Sequence, residues 1–130
     1  MVVREDVLTM ELPKDKRGRD RIFRIVKSIA ARPAERPHRL LQERIRLGII
    51  SSLAVNPALS FNDLKNLLKT TDGNLSVHAR RLEGAGLVKC TKSFSGRIPR
   101  TEYKITERGK KSLQRYLDSM EKLIAVMRQQ

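Results

Sequence analysis

The sequence of 130 residues contains no tryptophan and only one cysteine, and aromatic residues make up 4% of the chain. Its core must therefore consist mainly of Leu, Ile and Val, which favours a small helical or mixed domain over a large enzyme cleft. The lone Cys90 excludes an internal disulfide and a cysteine-based zinc site. Because His38 and His78 have no thiol or carboxylate nearby at ligand spacing, we expect no metal and no cofactor.

Long apolar runs are also absent from the sequence. No run approaches the length of a membrane span and no signal peptide opens the chain, so we expect no membrane partner and a reducing, cytoplasmic compartment. The sequence lacks a carboxylate pair, a Ser/His/Asp set, a glycine-rich phosphate loop and metal-ligand spacing. We therefore do not expect an enzyme.

Acidic residues are scarce relative to basic ones: 14 Asp and Glu stand against 28 Lys and Arg, which gives a formal net charge of +14. A surplus of this size indicates polyanionic partners. Half of it lies between residues 61 and 111, where twelve basic residues accompany five acidic ones. We therefore expect a nucleic-acid partner, a nucleoid-associated location, and contacts concentrated in this segment.

One stretch of this segment, residues 71–86, predicts a helix with a polar and basic face. Thr71 or Asp72 can cap its first amides, and Gly86 is a natural left-handed stop. The apolar stripe at helical spacing consists of Leu75, Ala79 and Leu82. The opposite face carries Gly73, Val77, Arg80 and Arg81, flanked by Asn74 and Ser76. Such a helix can enter a DNA major groove or be an ordinary amphipathic helix with a solvated face, and the stretch alone does not decide.

The residues before this stretch predict three further helices. Asp20 can cap a helix over 21–32, and a second helix, apolar on much of its circumference, follows over 38–55. Ser60 and Asp63 match a capping box, which opens a short helix after an extended link. A short helix, a tight turn and the helix over 71–85 together make a helix-turn-helix.

After Gly86 the apolar period changes from helical to two, which predicts a β-hairpin. Val88 and Cys90 share one face of the first strand, and Thr101, Tyr103 and Ile105 share one face of the second. The tip, residues 93–100, holds Arg97 and Arg100. A hairpin in this position is the wing of a winged helix, and its arginines suit minor-groove or phosphate contacts. The alternative is a solvent-exposed hairpin whose arginines have no ligand.

The last helix is predicted over 107–127, with Thr106 as its cap. Its apolar stripe has a spacing of four, three, four and three, at Leu113, Leu117, Met120, Ile124 and Met127. A helix of this length spans about 30 Å, which is more than a compact domain of this size can cover. We expect the excess to pair with an identical chain. The alternative is a helix that packs back on its own domain.

The combination of these pieces resembles the winged helix-turn-helix transcriptional regulators of the MarR and ArsR type. The resemblance covers residues 44–116 and is carried by RLGIISSL at 46–53, LSFNDLKNLL at 59–68, TDGNLSVHARRLEGAGLV at 71–88 and KSFSGRIPRTEYKITERG at 92–109. It implies a homodimer that binds DNA, often as a repressor at a palindromic site. The clusters of metal-sensing members are missing, and Cys90 lies on an apolar strand face like a core filler, so neither metal nor peroxide sensing is expected.

We therefore predict a mainly α fold with a small β-hairpin wing. Its segments are an N-terminal arm over 1–20, an accessory helix over 21–35, the winged helix-turn-helix domain over 36–106 and a dimerisation helix over 107–130. The arm is read as a solvated tail, with DNA contact as the alternative.

The predicted function is a homodimeric repressor that reads palindromic DNA with helix 71–85 in the major groove and wing 93–100 on the flanking minor groove. The predicted DNA contacts are Thr71, Asp72, Gly73, Asn74, Ser76, Val77, Arg80, Arg81, Lys92, Arg97 and Arg100. The predicted dimer contacts are Ile22, Ile25, Val26, Ile29, Leu113, Leu117, Met120, Ile124 and Met127. A weakly selective architectural DNA-binding protein is the alternative, and a protein-interaction module ranks third. The sequence names no effector.

Overall fold

The computed structural model describes residues 14–30 and 37–128, which form helices around one core and a three-stranded antiparallel sheet. In chain order the elements are α1 (Lys16–Ala30), a 3-10 helix (Pro37–Gln42), α2 (Arg44–Val55), β1 (Leu59–Ser60), α3 (Phe61–Leu68), α4 (Asp72–Gly84), β2 (Val88–Ser95), β3 (Ile98–Ile105) and α5 (Glu107–Arg128). The predicted class, mainly helical with a small hairpin wing, is confirmed. Residues 1–13 of the predicted arm and 31–35 of the predicted accessory segment lie outside the described residues.

Helix α1 begins at Lys16, five residues before the predicted start at Arg21. A carboxylate oxygen of Asp15 accepts a hydrogen bond from the backbone amide of Gly18 at 3.2 Å. Asp15 rather than Asp20 therefore satisfies a free amide of the first turn. Residues 16–20, which were predicted to belong to the arm, are helical. Lysine and arginine, which are frequent in this run, are good helix formers.

The single helix predicted over residues 38–55 is in fact a 3-10 helix followed by α2. The break lies at Glu43, whose backbone is extended and whose carboxylate accepts from the amide of Arg46 at 2.9 Å. Glutamate is not among the favoured N-cap residues. The sequence therefore contains no sign that one helix ends and another begins at this position.

Helix α2 lies at the centre of the core, as its apolar circumference indicated. The buried core residues come from the 3-10 helix, α2, α3, α4 and the wing strands with the link before them: Leu41, Ile45, Ile49, Ile50, Leu53, Leu64, Leu75, Ala79, Leu82, Leu87, Val88 and Tyr103. Leu and Ile dominate this set, and its single aromatic member is Tyr103. The expectation of an aliphatic core is confirmed.

The helix-turn-helix forms as predicted. Ser60 Oγ accepts from the amide of Asp63 at 3.0 Å, and the Asp63 carboxylate accepts from the amide of Ser60 at 3.1 Å, which completes the capping box. Helix α3 ends at Lys69 in the left-handed conformation, with a φ of 49°. Of the two candidate caps of α4, Thr71 takes the role, because its Oγ1 accepts from the amide of Asn74 at 3.2 Å.

The sheet has the order β1-β3-β2. The link that was expected to be merely extended pairs with β3, Leu59 opposite Tyr103. The wing strands are longer than predicted and leave only a two-residue turn between Ser95 and Ile98. Gly96, with a φ of 65°, occupies the first turn position, where a tight hairpin requires a positive φ.

Helix α5 is fastened to the base of the wing. Thr106 Oγ1 accepts from the amide of Gly109 at 2.9 Å, which confirms Thr106 as the cap. A Cβ at Gly109 would lie 2.1 Å from the carbonyl oxygen of Leu87, so only glycine permits this close approach. Further along, α5 packs against α1, the 3-10 helix and α2, so a large part of it covers its own domain.

Candidate nucleic-acid interface

The outer face of α4 is accessible, and its inner stripe is buried. Leu75, Ala79 and Leu82 lie in the core, as the helical spacing predicted. Most of the predicted DNA-contacting residues of this element are exposed: Thr71, Asp72, Gly73, Asn74, Val77, Arg80 and Arg81. Ser76 is half-buried and lies at the edge of the accessible face. The face therefore presents small and polar groups first and two arginines about two turns later.

Two of the polar residues at the start of α4 are already held by neighbours. Lys65 Nζ of α3 lies 2.8 Å from a carboxylate oxygen of Asp72. Asn74 Nδ2 donates to Thr70 Oγ1 at 2.8 Å, which leaves its amide oxygen and second N–H open to a ligand. The ion pair offsets the negative charge of Asp72, which would otherwise repel phosphates.

Beneath α4 lies a polar network that sequence reasoning missed. Arg46 is only 8% exposed, and its Nε donates to the carbonyl oxygen of Leu40 at 2.6 Å. Its Nη1 lies 3.0 Å from Nδ1 of His78. Since a guanidinium can only donate, Nδ1 is the acceptor of this hydrogen bond. Helix α4 is thereby hydrogen-bonded to α2 through its inner side.

Glu43 completes this network, with its carboxylate 3.5 Å from Nδ1 of His78. Burial alone would raise the pKa of Glu43, but hydrogen bonds from the backbone amides of Arg46 and Ile45, together with the positive charge of Arg46, lower it below its ordinary value. Burial lowers the pKa of Arg46, and the Glu43 carboxylate opposes that shift. The only sequence signal was that His78 follows Leu75 at the edge of the core stripe.

The outer half of the wing is exposed to solvent. Residues 91–100 are all exposed, and they include the predicted contacts Lys92, Arg97 and Arg100. Arg100 Nη2 lies 3.5 Å from a carboxylate oxygen of Glu102, so part of its charge is balanced within the hairpin. Arg97 occupies the two-residue turn itself. The wing therefore projects cations beyond the body of the domain.

The predicted dimer contacts divide into covered and accessible groups. On α1, Ile22, Ile25 and Ile29 are half-buried and Val26 is exposed; on α5, Leu113, Met120 and Met127 are half-buried while Leu117 and Ile124 are exposed. Val126, outside the predicted stripe, is buried instead. The alternative, a helix that packs back on its own domain, therefore describes a large part of α5. Pairing of its exposed apolar side chains with an identical chain stays a prediction.

A cationic cleft of about 460 Å³ lies between α1 and α5. Four cations line it, Arg21, Arg24, Arg115 and Lys122, together with Ile25, Ile29 and the carboxylate of Asp118. The positive charge of the chain therefore extends beyond α4 and the wing.

Cys90 lies half-buried on the wing base and packs against the core, as expected of a core filler. In the described ranges, His, Cys, Asp and Glu side chains form no group of three or more that could hold a metal ion. Among the helices that the structure describes, none combines the length and apolar character needed to cross a membrane.

Comparison with known proteins identifies this arrangement. Residues 45–124 match the family model of a winged helix DNA-binding domain. An uncharacterized protein of Methanocaldococcus jannaschii is 38% identical over 74 residues, which cover 56% of this chain and 79% of that protein. The structure of a transcriptional regulator homologue from Pyrococcus horikoshii OT3 is similar with a TM-score of 0.68 and 33% identity, covering 78% of this chain and 95% of that one. The MarR structure has a TM-score of 0.60 at 17% identity, covers 81% of this chain and 74% of its own, and shows the shared fold.

The chain belongs to the winged helix DNA-binding domain family, since the match spans more than half of its length. The resemblance to winged helix-turn-helix proteins is confirmed by the family match and by the fold that the MarR structure shares. The family indicates a DNA-binding protein.

Proposed function

We propose that this protein is a homodimeric repressor that reads a palindromic site in double-stranded DNA. The observation that carries the proposal is that the outer face of α4 and the outer half of the wing, residues 91–100, are both exposed. Helix α4 would lie in the major groove, where side chains reach distinct base edges, and the wing would lie over the flanking minor groove.

The order of residues along α4 suggests how affinity and specificity are divided. Gly73 is exposed, and a Cβ built there meets no described atom within 4 Å, so the start of α4 can approach base edges closely. Asn74 retains free amide groups of the kind that pair with adenine. Arg80 and Arg81 lie further along the helix and are assigned to the phosphate backbone, where they fix register more than sequence.

The exposed apolar side chains of α1 and α5 support the dimer. Val26 and Ile124 are 45% and 49% exposed, and Leu117 is 44% exposed, on the two helices that pack against each other. Burying these side chains against a second copy would remove apolar surface from water. A two-fold arrangement would place two α4 helices in grooves one helical turn apart, about 34 Å.

The alternative, a weakly selective architectural protein, draws support from the spread of positive charge. Helix α1 alone carries six cations, Lys16, Arg17, Arg19, Arg21, Arg24 and Lys27, against one carboxylate, Asp20. Phosphate contacts from such a surface give substantial binding without sequence choice.

Selection from random double-stranded DNA at two salt concentrations separates the two functions. Recovery of a two-fold symmetric motif that persists at the higher salt is expected for the regulator. Binding without enrichment of any motif would establish the architectural function instead. Fusion of the recovered site to a reporter promoter tests repression, and increased transcription would contradict that part of the proposal.

A further inference from the structure

The tip of the wing carries two large apolar side chains that the fold does not bury. Phe94 is 72% exposed and Ile98 is 70% exposed. Phe94 lies opposite Pro99 across the hairpin, and Ile98 lies opposite Ser95 beside the turn. Side chains alternate between the two faces of a strand. Phe94 and Pro99 therefore lie on one face of the tip, and Ile98 lies on the other face. The hairpin therefore ends in an apolar edge on both sides.

Cations surround this apolar edge. Arg97 lies in the turn, Arg100 follows two residues after Ile98, and Lys92 precedes Phe94 by two residues on the same face. Every residue from 91 to 100 is exposed, so the edge belongs to the part of the wing that projects from the core. Leaving two large apolar side chains in water has no benefit for the stability of the monomer.

We propose that Phe94 and Ile98 form an apolar wedge that inserts into the minor groove next to the site read by α4. The proposal rests on the proposed function and adds a second mode of recognition to it. Proteins that bind the minor groove insert Phe, Ile or Pro side chains between base steps, which opens the step and bends the duplex. Steps that unstack easily, such as TA and CA, would then be preferred at positions that make no hydrogen bond with the protein.

The reach of the wing fits this position. Residues 91–95 extend beyond the core, and five strand residues span about 17 Å at about 3.4 Å each. The centre of the adjacent minor groove lies about half of a 34 Å helical turn from the major groove. Arg97 and Arg100 would contact the phosphates and the negative potential of the groove while Phe94 and Ile98 enter it.

An anionic membrane surface is the other class of partner that an apolar tip ringed by cations could suit. DNA is favoured because the tip belongs to the hairpin of β2 and β3, which follows α4 directly in the chain. The base of β2 continues directly from α4 through the bond from the amide of Leu87 to the carbonyl of Leu82 at 2.9 Å.

The test compares DNA binding by wild type, Phe94→Ala, Ile98→Ala and Arg97→Ala, using an end-labelled duplex recovered by the selection described above. Val55→Ala is the matched control, because Val55 is 80% exposed at the end of α2 and lies beside the base of the wing rather than its tip. Each wedge variant should bind about tenfold more weakly, since apolar contact area is lost. Its slope of log affinity against log salt should equal that of wild type, whereas Arg97→Ala should lower the slope by about 1. Energy transfer between the duplex ends should report a bend with wild type and a straighter duplex with Phe94→Ala.

The possible outcomes distinguish failure of the proposed function from failure of the wedge. If wild type binds no duplex, the proposed function and the wedge both fail. If wild type binds and bends DNA while Phe94→Ala and Ile98→Ala match it in affinity and bend, the wedge alone is overturned. Flotation with vesicles of phosphatidylcholine and phosphatidylglycerol tests the membrane. If Phe94→Ala abolishes vesicle binding and leaves DNA affinity unchanged, the partner of the tip is a membrane and not the minor groove. Circular dichroism of each variant should match wild type, because the tip lies outside the core.

Discussion

Nη1 of Arg46 in α2 lies 3.0 Å from Nδ1 of His78 in α4, although the two residues are 32 positions apart in sequence. The same guanidinium donates through Nε to Leu40 in the 3-10 helix. The 3-10 helix is in turn bonded to α1, since Arg39 Nη2 donates to Ser28 Oγ at 2.8 Å. A chain of hydrogen bonds therefore connects the helix proposed to read DNA with one of the helices proposed to form the dimer.

Replacing Arg46 should destabilise the protein. Arg46→Ala leaves the carbonyl of Leu40 and the ring nitrogen of His78 without this donor, at a cost of about 1–3 kcal/mol in the free energy of unfolding. Arg44→Ala is the matched control: Arg44 is exposed in the first turn of the same helix, and its loss should change stability by less than about 0.5 kcal/mol. Urea unfolding of both variants measures the difference. Equal stabilities would show that the buried guanidinium contributes nothing beyond a surface charge.

Glu43 should make stability depend on pH in the acid range. The folded-state pKa of Glu43 is lowered below its unfolded value, so the ionised carboxylate stabilises the fold above the unfolded pKa, about 4.3. This contribution is lost as the pH falls through the lower, folded-state pKa. The stability difference between wild type and Glu43→Gln should therefore be constant near neutral pH and shrink in acid, as measured by urea unfolding across a pH series. A difference that stays constant down to the lowest pH would contradict the role of the charge.

Gly109 should be among the least replaceable residues of the chain. Gly109→Ala places a Cβ 2.1 Å from the backbone oxygen of Leu87 and 2.8 Å from the side chain of Ile105, so α5 must shift away from the wing base. We expect a loss of about 3 kcal/mol or more, seen as a lower Tm. Gly84→Ala, near the end of α4, meets no described atom within 4 Å and should stabilise by about 0.5–1 kcal/mol through helix propensity. Similar Tm values for both variants would refute the close packing.

Arg80 should contribute to DNA binding without contributing to the fold. Its side chain is exposed on α4, so Arg80→Ala should weaken binding of the selected duplex by about 1–3 kcal/mol and leave the Tm unchanged. Lys111→Ala removes the same charge from an exposed position on α5 and serves as control. Affinities of the two variants are compared by fluorescence anisotropy at matched salt. If they weaken binding equally, the effect is one of net charge, and Arg80 has no place in the interface.

Leu117 should contribute to the interface between two copies of the chain. Leu117→Asp introduces a charge into the exposed apolar stripe of α5 and should shift the protein from dimer to monomer in analytical ultracentrifugation, because burying an unpaired carboxylate is costly. Val55→Asp, at an exposed apolar site on α2, should sediment like wild type. A dimer that survives Leu117→Asp would place the contact between copies elsewhere.

Most local structure follows from the sequence, because short-range chemistry decides it. The capping box of Ser60 and Asp63, the stop at Gly86 and the alternation of β2 and β3 each need only neighbouring residues, and each was predicted. The same holds for the accessible face of α4, since helical spacing separates it from Leu75, Ala79 and Leu82.

The remainder depended on contacts between distant parts of the chain. The helix predicted over residues 38–55 is interrupted at Glu43. Capping preferences do not predict this break, because glutamate is not a favoured N-cap residue. The pairing of β1 with β3, and the bond between Arg46 and His78, join residues that have no local relationship. Sequence alone determined a basic winged helix with an Arg-bearing hairpin. Only the tertiary structure decided that Phe94 and Ile98 stay in solvent and that α5 covers its own domain while leaving Leu117 exposed, because burial is a property of the packed chain and not of a residue's spacing.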